Sequence, residues 1–459
     1  MTIWRIARPS LPHPMLRLVL AALVATIFAV AACAVTPTTA PPSTLVVWVD
    51  TPSIGASLQE RIQPFLQEHP NIQIKIFNQA GRIKNGDISV AIEALNNSEL
   101  APDVVALTDL DFRLMSNTGD LVDLTPYILS QSDFNTDDFF PGTMDAFRLQ
   151  GKQYAIPSEV VPWMIYYNQD AFAKAHLTAP QPGWGVTEFV ADGQQLQGLG
   201  AGRAQLTGFV TDPTVAILPF AEEFGAQPKD ATEDPYANWV TNPTTVAGVD
   251  WFAGLALRSK IMPFDPQNRA QALWALGRAG MGGMFMSERA QLPAFLQRRQ
   301  DELTPSPTGT PAFVSGWHFN WNVTLPPRAE VQTTVYYVNG YGIPQSSHDP
   351  DDAWLLIDYL TRHLPTSAAN AYVPARESLA YSKGFDDLYP ESGHDTYRQA
   401  VLIGNRLPAL PPAAQLTLQD VQSVLDGSSR PFVMLQSYRD RIQPLLLPQP
   451  TPTATAVGD

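Results

Sequence analysis

The chain has 459 residues, of which 45% are hydrophobic and 16% are charged, and its formal net charge is -15. A chain this acidic has no electrostatic attraction for nucleic acid, and it contains no basic stripe, so we expect no nucleic-acid partner. The length and the hydrophobic content predict a globular body large enough for two domains.

The first 32 residues have the order of a secretory signal. Arg5, Arg8 and Arg17 are positive, no acidic residue is present, and an apolar run then ends in small residues. The run from Leu18 to Ala32 is shorter than the roughly 20 residues that a membrane-spanning helix needs. We therefore expect residues 1–32 to be a signal peptide rather than a permanent anchor.

The only cysteine of the chain, Cys33, follows Val30–Ala32. This arrangement resembles the bacterial lipobox, and the resemblance implies that Cys33 becomes the new N-terminus and carries lipid. A lone thiol in an exported protein has no disulfide partner, which agrees with lipidation. An ordinary signal peptide with an unrelated cysteine is the alternative. The Pro- and Thr-rich residues 33–44 predict an extended tether, and residues 447–459 predict a disordered tail.

The body opens with strand and helix patterns that alternate along the chain. The strand patterns are "TLVVWVD", "NIQIKIF" and "PDVVALTD", and the helix patterns between them are "SLQERIQPFLQEHP" and "ISVAIEALNNSEL". This β-α-β-α-β order predicts a parallel sheet with helices on its faces. In such sheets ligands bind beyond the carboxyl ends of the strands, where Asp50 and Asp109 lie.

From this point the chain resembles the extracellular solute-binding proteins of ABC importers, the group that includes maltose-type sugar binders. Six segments are similar to motifs of that family and occur in its order: "LAPDVVALTD", "GDLVDLTPYI", "GKQYAIPSEVVPWMIYYNQDAFAKAHL", "GRAGMGGMF", "VNGYGIPQSSHDPDDAWLLIDYL" and "YVPARESL". Two places depart from the family pattern. "QPGWGVTEF" replaces the usual helix start "P-x-T-W", and "GGMFMSE" replaces the common "G-x-W" near the ligand.

The resemblance implies a periplasmic-binding-protein-like α/β fold, with two α/β lobes, a central ligand cleft and hinge crossovers. The N-terminal lobe would comprise residues 45–158 and 341–372, and the C-terminal lobe residues 159–338 and 375–446. Strands would cross between the lobes near residues 157–162, 338–341 and 372–376. Ligand binding would close the hinge.

A sugar offers hydroxyls for hydrogen bonds and ring faces for aromatic packing, so its site should combine carboxylates, amides and arginine with aromatic side chains. The strand ends and the implied crossings supply eight candidates: Asp50, Asp109, Glu159, Trp163, Phe285, Ser287, Tyr341 and Arg376. Alternatives stay open for several of them. The two aspartates could be helix N-caps, Trp163 could be core, and Arg376 could form an ion pair between lobes. Trp317, His318, Asn320 and Trp321 are further cleft or hairpin candidates.

The sequence thus predicts an exported, lipid-anchored binding protein that captures a solute, with a carbohydrate favoured, and delivers it to an ABC permease. Catalytic and nucleotide-binding motifs are absent from the sequence, and its histidines show no metal spacing, so we expect no enzyme, no cofactor and no metal site. The expected partners are the solute, the permease subunits and, through the lipid, the membrane; we expect a monomer.

Other functions remain open at this stage. The same fold could bind a peptide, a polyamine, a phosphodiester or a ferric ion, the last suggested by the adjacent Tyr336 and Tyr337. A sensor input protein is a further alternative. A secreted glycosidase would instead need two carboxylates about 5 or 9 Å apart.

Overall fold

A computed structural model gives the structure of the chain. It describes the following residues: 42–49, 52–78, 88–95, 98–115, 118–181, 183–200, 205–226, 239–265, 267–288, 319–365, 372–388, 393–410 and 412–446. Met1–Ser43 and Thr44–Asp459 are two separate units, and only residues 42 and 43 of the first unit are described. The predicted signal peptide, Cys33, Asp50 and the C-terminal tail lie outside the described residues. Within the described ranges, no helix is both long enough and apolar enough to cross a membrane.

The described strands and helices alternate through much of the chain. The strands are β1 (Ser43–Val49), β2 (Ile72–Asn78), β3 (Val104–Thr108), β4 (Arg148–Leu149), β5 (Lys152–Gln153), β6 (Ala155–Asn168), β7 (Thr207–Thr211), β8 (Ala279–Phe285), β9 (Trp321–Thr324), β10 (Val335–Gly342), β11 (Val373–Pro374) and β12 (Asn405–Arg406). The helices are α1 (Pro52–Glu68), α2 (Ile88–Leu95), α3 (Asp109–Leu114), α4 (Thr125–Ser130), α5 (Gln169–Lys174), α6 (Val186–Leu196), α7 (Pro213–Glu223), α8 (Pro243–Leu257), α9 (Ala270–Ala275), α10 (Pro350–Arg362), α11 (Glu377–Ala380), α12 (Lys383–Leu388), α13 (His394–Ile403), α14 (Leu418–Leu425) and α15 (Pro431–Leu446).

The predicted β-α-β-α-β opening is confirmed by β1, α1, β2, α2 and β3. β1 pairs with β3 in parallel, with Val47 opposite Val104. Helix α1 buries Leu58, Ile62 and Phe65, which recur every three or four residues and so share one face. The pattern of apolar residues alone therefore determined this part of the fold.

The main sheet has the strand order β2-β1-β3-β10-β6-β8-β7, with β9 and β11 also paired to β6 and β12 paired to β10. Strand β6 is 14 residues long and buried throughout. Its first half pairs with β10, and its second half pairs with β8 and β9, all antiparallel. The register shifts between Asn339 and Gly340, opposite Pro157, which has no N–H to donate to the ladder. A single strand thus connects the two parts of the sheet.

Two hydrophobic clusters pack against the sheet. The first contains side chains of β1 and β3 together with Ile156 and Tyr341, and the second contains Trp163, Phe189 and Phe220. Residues after β11 also enter the first cluster, for example Phe385 in α12 and Tyr397 in α13. The exact lobe boundaries stay a prediction.

Candidate functional site

The carboxyl ends of β7 and β8 meet at one edge of the sheet because the two strands are parallel, with Thr211 opposite Gly283. Beyond β7, Asp212 caps helix α7 by accepting a hydrogen bond from the Thr214 backbone at 2.9 Å. Beyond β8, the chain turns through Phe285, the last strand residue, into Ser287. This edge is where the sequence predicted ligand contacts.

Phe285 and Ser287 both contact Tyr337 on β10. The rings of Phe285 and Tyr337 meet edge to face, with centroids 5.2 Å apart, and both side chains are partly exposed. The Ser287 and Tyr337 hydroxyls lie 2.8 Å apart and are hydrogen-bonded. These three residues, which we call the aromatic–hydroxyl cluster, place two ring faces beside two hydroxyls. Such a surface suits a ligand with C–H patches and hydroxyl groups.

Glu288 fixes the turn that carries Phe285 and Ser287. Its carboxylate accepts a hydrogen bond from the Phe285 backbone at 2.7 Å and another from the Gln271 side chain on α9. Burial raises the pKa of Glu288 to about 7, while these two hydrogen bonds act to lower it. The sequence interpretation missed Glu288 and Gln271; an acidic residue three positions after the strand end was the signal available.

A pocket of about 290 Å³ lies along β7. Its walls combine apolar side chains with an ion pair and an amide; they include Val210, Thr211, Met262, Phe264, Asp265, Asn268, Arg269 and Leu273. Arg269 bonds Asp265 at 2.9 Å, and Asn268 donates to Asp212 at 2.7 Å. The α9 helix lines this pocket through Ala270 and holds Glu288 through Gln271. Helix α9 therefore connects the pocket with the residues that support the aromatic–hydroxyl cluster, although the cluster itself does not line the pocket.

Trp163 lies opposite Phe285 in the β6–β8 register but is only 1% exposed. Its indole packs edge to face on Phe220, with centroids 5.7 Å apart, inside the second cluster. Gly283 makes room for it, because a β-carbon at that position would lie 2.3 Å from the indole. These contacts are those of a core residue, which was the alternative interpretation, and the ligand role stays a prediction.

Asp109 is fully buried at the first position of α3. One carboxylate oxygen accepts a hydrogen bond from the Val338 backbone at 3.0 Å, and the other lies 3.9 Å from Arg113. Burial raises the pKa of Asp109 to about 6, against the opposing effects of Val338 and Arg113. The N-cap of α3 is Thr108, in a capping box with Asp111, so the N-cap alternative for Asp109 is wrong by one residue.

Glu159 and Tyr341 lie together in another buried group. Glu159 accepts hydrogen bonds from Arg61 at 3.0 Å and from Asn339 at 3.1 Å. Tyr341 is 4% exposed, and burial raises its pKa to about 12 although the Arg61 charge lowers it. The sequence interpretation missed Arg61, whose signal was a charged residue on the apolar face of α1.

Arg376 is 4% exposed and follows β11, whose Pro374 lies opposite Glu159. It donates to the Asn135 carbonyl at 3.2 Å and to Asp138 at 3.3 Å. Its guanidinium carbon lies 4.3 Å and 4.9 Å from the ring centroids of Phe139 and Phe134. Burial lowers the pKa of Arg376, while the hydrogen bond to Asp138 acts to raise it. Both hydrogen bonds and aromatic contacts therefore hold this arginine. Its ligand role also stays a prediction.

The structure thus brings Phe285 and Ser287 together, brings Glu159 and Tyr341 together, and places Asp109 and Arg376 separately. The adjacent Tyr336 and Tyr337 alternate along a strand, so they project to opposite faces of the sheet. Across the described part of the chain, no group of three or more His, Cys, Asp or Glu side chains is placed to hold a metal ion.

The model of the bacterial extracellular solute-binding protein family matches residues 48–363, and the chain belongs to this family. The fold and the family together define an extracellular solute-binding protein of ABC importers. No curated protein sequence matches the chain.

Several solved structures share the fold over most of the chain. An ABC substrate-binding protein from Listeria monocytogenes, in complex with cycloalternan, is 20% identical with a TM-score of 0.67, covering 88% of this chain and 98% of that chain. The GacH receptor of Streptomyces glaucescens, studied unliganded and with acarbose, is also 20% identical with a TM-score of 0.67, covering 88% of this chain and 98% of that chain. UgpB from Mycobacterium tuberculosis, in complex with glycerophosphocholine, is 18% identical with a TM-score of 0.68, covering 88% and 98%. The predicted periplasmic-binding-protein-like α/β fold is confirmed.

Proposed function

We propose that this protein captures a carbohydrate in the cleft between its lobes and delivers it to an ABC permease. The aromatic–hydroxyl cluster of Phe285, Ser287 and Tyr337 carries the proposal, because it combines ring faces with hydroxyls at the carboxyl edge of the sheet. Sugars need both, since their C–H faces pack on aromatic rings and their hydroxyls need hydrogen-bond partners.

The neighbouring pocket supports a neutral ligand. Its only cationic wall residue among those described, Arg269, is already paired with Asp265. A phosphodiester group is anionic, and the described walls offer it no uncompensated cation. The pocket instead offers an apolar wall, including Phe264, and a polar rim, the combination that a sugar ring requires.

We further propose that the protein is exported and anchored through lipid on Cys33. The support is the lipobox-like sequence before Cys33 and the Pro- and Thr-rich residues 34–44, which would act as a tether. Metabolic labelling with a radioactive fatty acid should label the wild-type chain and not Cys33→Ser, and the variant should leave the membrane fraction. Equal labelling of the two chains would refute the lipid anchor.

A thermal-shift screen tests the ligand class. The panel contains mono- and oligosaccharides, amino acids, polyamines, ferric citrate and glycerophosphocholine. A ligand that binds only the folded protein adds about 2.7 kcal/mol of stability at a hundredfold excess over its dissociation constant. We expect one sugar class to raise the midpoint. A shift from a non-sugar ligand alone would refute the carbohydrate proposal and leave the family assignment intact.

Once a sugar is found, two variants test the aromatic–hydroxyl cluster. Calorimetric titration should show weaker binding to Ser287→Ala and Phe285→Leu, because each loses part of the proposed ligand surface. Phe432→Leu is the matched control, since Phe432 is 50% exposed on α15. Wild-type affinity in both cluster variants would place the sugar elsewhere.

A further inference from the structure

Arg61 occupies an unusual position for a charged residue. It lies on α1 among the buried Leu58, Ile62 and Phe65, and it is itself only 7% exposed. A cation removed from water loses hydration, so a buried arginine needs several fixed acceptors around it. The hydrogen-bond acceptors of Arg61 lie on different elements, so they show which parts of the fold it connects.

One side of the guanidinium bonds the end of helix α10. It donates to the Leu360 carbonyl at 2.7 Å and to the His363 carbonyl at 3.3 Å. The last carbonyls of a helix have no partner within it, and a positive charge there is favourable. These bonds tie α1 to α10.

The other side of the guanidinium bonds Glu159 on β6 at 3.0 Å, and the side chains of this ion pair are 6% and 11% exposed. The second oxygen of Glu159 accepts from Asn339 on β10 at 3.1 Å. Glu159 is also paired in register with Pro374 of β11. The carboxylate of the ion pair therefore links β6 to β10, and the backbone of Glu159 is paired with β11.

Two tyrosines complete the surroundings of Arg61. The ring centroid of Tyr372, just before β11, lies 6.0 Å from the guanidinium carbon. Tyr341 on β10 is buried close enough for the Arg61 charge to affect its ionisation. Together with Glu159, these residues come from all three segments predicted to cross between the lobes: 157–162, 338–341 and 372–376.

We infer that Arg61 is a positioning residue for solute capture: it holds the three crossing segments in one arrangement and thereby sets how the two lobes open and close. This inference rests on the proposed function, because closure on a solute is the motion that it governs. The planar guanidinium suits the role, since its donors point in fixed directions and bond several acceptors at once. An apolar residue of similar size would fill the space without fixing these directions.

The distance between the lobes tests this inference without any solute. Spin labels are attached to the full chain carrying Cys33→Ser, Ser130→Cys and Gln422→Cys, which has no other cysteine. Ser130 is exposed on α4 in the predicted N-terminal lobe, and Gln422 is exposed on α14 in the predicted C-terminal lobe. Pulsed electron paramagnetic resonance then gives the distribution of label distances, measured well below the unfolding midpoint of each variant.

We expect Arg61→Met to broaden or shift this distribution and Arg61→Lys to do so less. Arg398→Met is the matched control, because Arg398 is 6% exposed and bonds the Ala380 carbonyl at 2.7 Å and Asp395 at 2.6 Å, outside the three crossings. It should lower the unfolding midpoint and leave the distances unchanged. If Arg61→Met does not fold, the label-distance distribution of Arg61→Lys is compared with that of Arg398→Met. A broader or shifted distribution in Arg61→Lys alone then supports the inference.

A wild-type distribution in the folded Arg61 variants would overturn the inference, as would equal broadening in Arg398→Met. For a sugar found in the screen, the Arg61→Met dissociation constant should rise about tenfold if the binding-competent arrangement falls to a tenth of the molecules. A screen without any sugar response would refute the proposed function alone, because the distance measurement does not depend on solute.

Discussion

Replacing Glu222 by glutamine removes a buried titrating group from the end of helix α7. Glu222 is fully buried, and one of its oxygens accepts a hydrogen bond from Asn405 at 2.8 Å. Its other oxygen has no hydrogen-bond partner among the described residues. Burial raises the pKa of Glu222 from 4.5 to about 8, and the bond from Asn405 only partly opposes this. The folded protein therefore holds Glu222 protonated at neutral pH.

The sign of the effect on stability follows from proton linkage. Between pH 4.5 and 8 the folded chain keeps the proton and the unfolded chain releases it. The contribution of Glu222 to the free energy of unfolding is therefore fully present below pH 4.5 and falls as the pH rises, by about 1.4 kcal/mol per pH unit, until pH 8. Glutamine is neutral at every pH and keeps a side-chain oxygen for Asn405, so this slope disappears in Glu222→Gln.

Urea unfolding at pH 5.5, 6.5 and 7.5 measures the slope for the wild-type chain and for Glu222→Gln. Glu223 is buried beside Glu222, and its pKa is raised to about 9, so it also contributes to the wild-type slope. The slope difference between wild type and Glu222→Gln is therefore a better measure of Glu222 than the wild-type slope. We expect the variant to gain stability relative to wild type as the pH rises. Glu93→Gln, at an exposed position on α2, is the control with an equal change of charge. Parallel pH profiles for wild type and Glu222→Gln would refute the reasoning.

Three further substitutions test contacts at the candidate residues, each by thermal and urea unfolding with solute binding as the second readout. Gly283→Ala should cost about 1–3 kcal/mol, because its β-carbon would overlap the Trp163 indole; unchanged stability would contradict this packing. Trp163→Ala should cost about 3–5 kcal/mol through the cavity it leaves, and a smaller loss combined with abolished binding would favour a ligand role instead. Arg376→Met should cost about 2 kcal/mol for the lost charged hydrogen bonds, whereas lost solute affinity at wild-type stability would place Arg376 at the ligand.

Much of the fold followed from local patterns. The opening strands and helices follow from periodicity, because an apolar face repeated every two or every three to four residues has only one way to be buried. Trp48, Trp274 and Trp354 lie within strand and helix patterns of the sequence, and their side chains are buried. Trp251 on α8 is partly buried against the second cluster. The family-like order of motifs gave the remaining architecture.

The individual site residues were harder to predict, since their surroundings come from distant parts of the chain. The sequence predicts Glu159 as a ligand contact, but its carboxylate accepts hydrogen bonds from Arg61, 98 residues away, and from Asn339, 180 residues away. The place of Phe285 and Ser287 at a strand end predicts them as ligand contacts, and the structure adds Tyr337 as their common partner. No local sequence pattern predicts these contacts between side chains that are far apart in the chain.

The sequence by itself determined the α/β class, the opening β-α-β-α-β order and the family, because these depend on residue periodicity and on motif order along the chain. Only the tertiary structure decided which polar groups are already bonded inside the protein and which lie at the edge of the sheet. Burial and hydrogen bonding depend on contacts between residues far apart in the chain, such as those of Arg61 with Glu159 and with the end of α10. For that reason, the chemistry of each candidate residue depended on the fold.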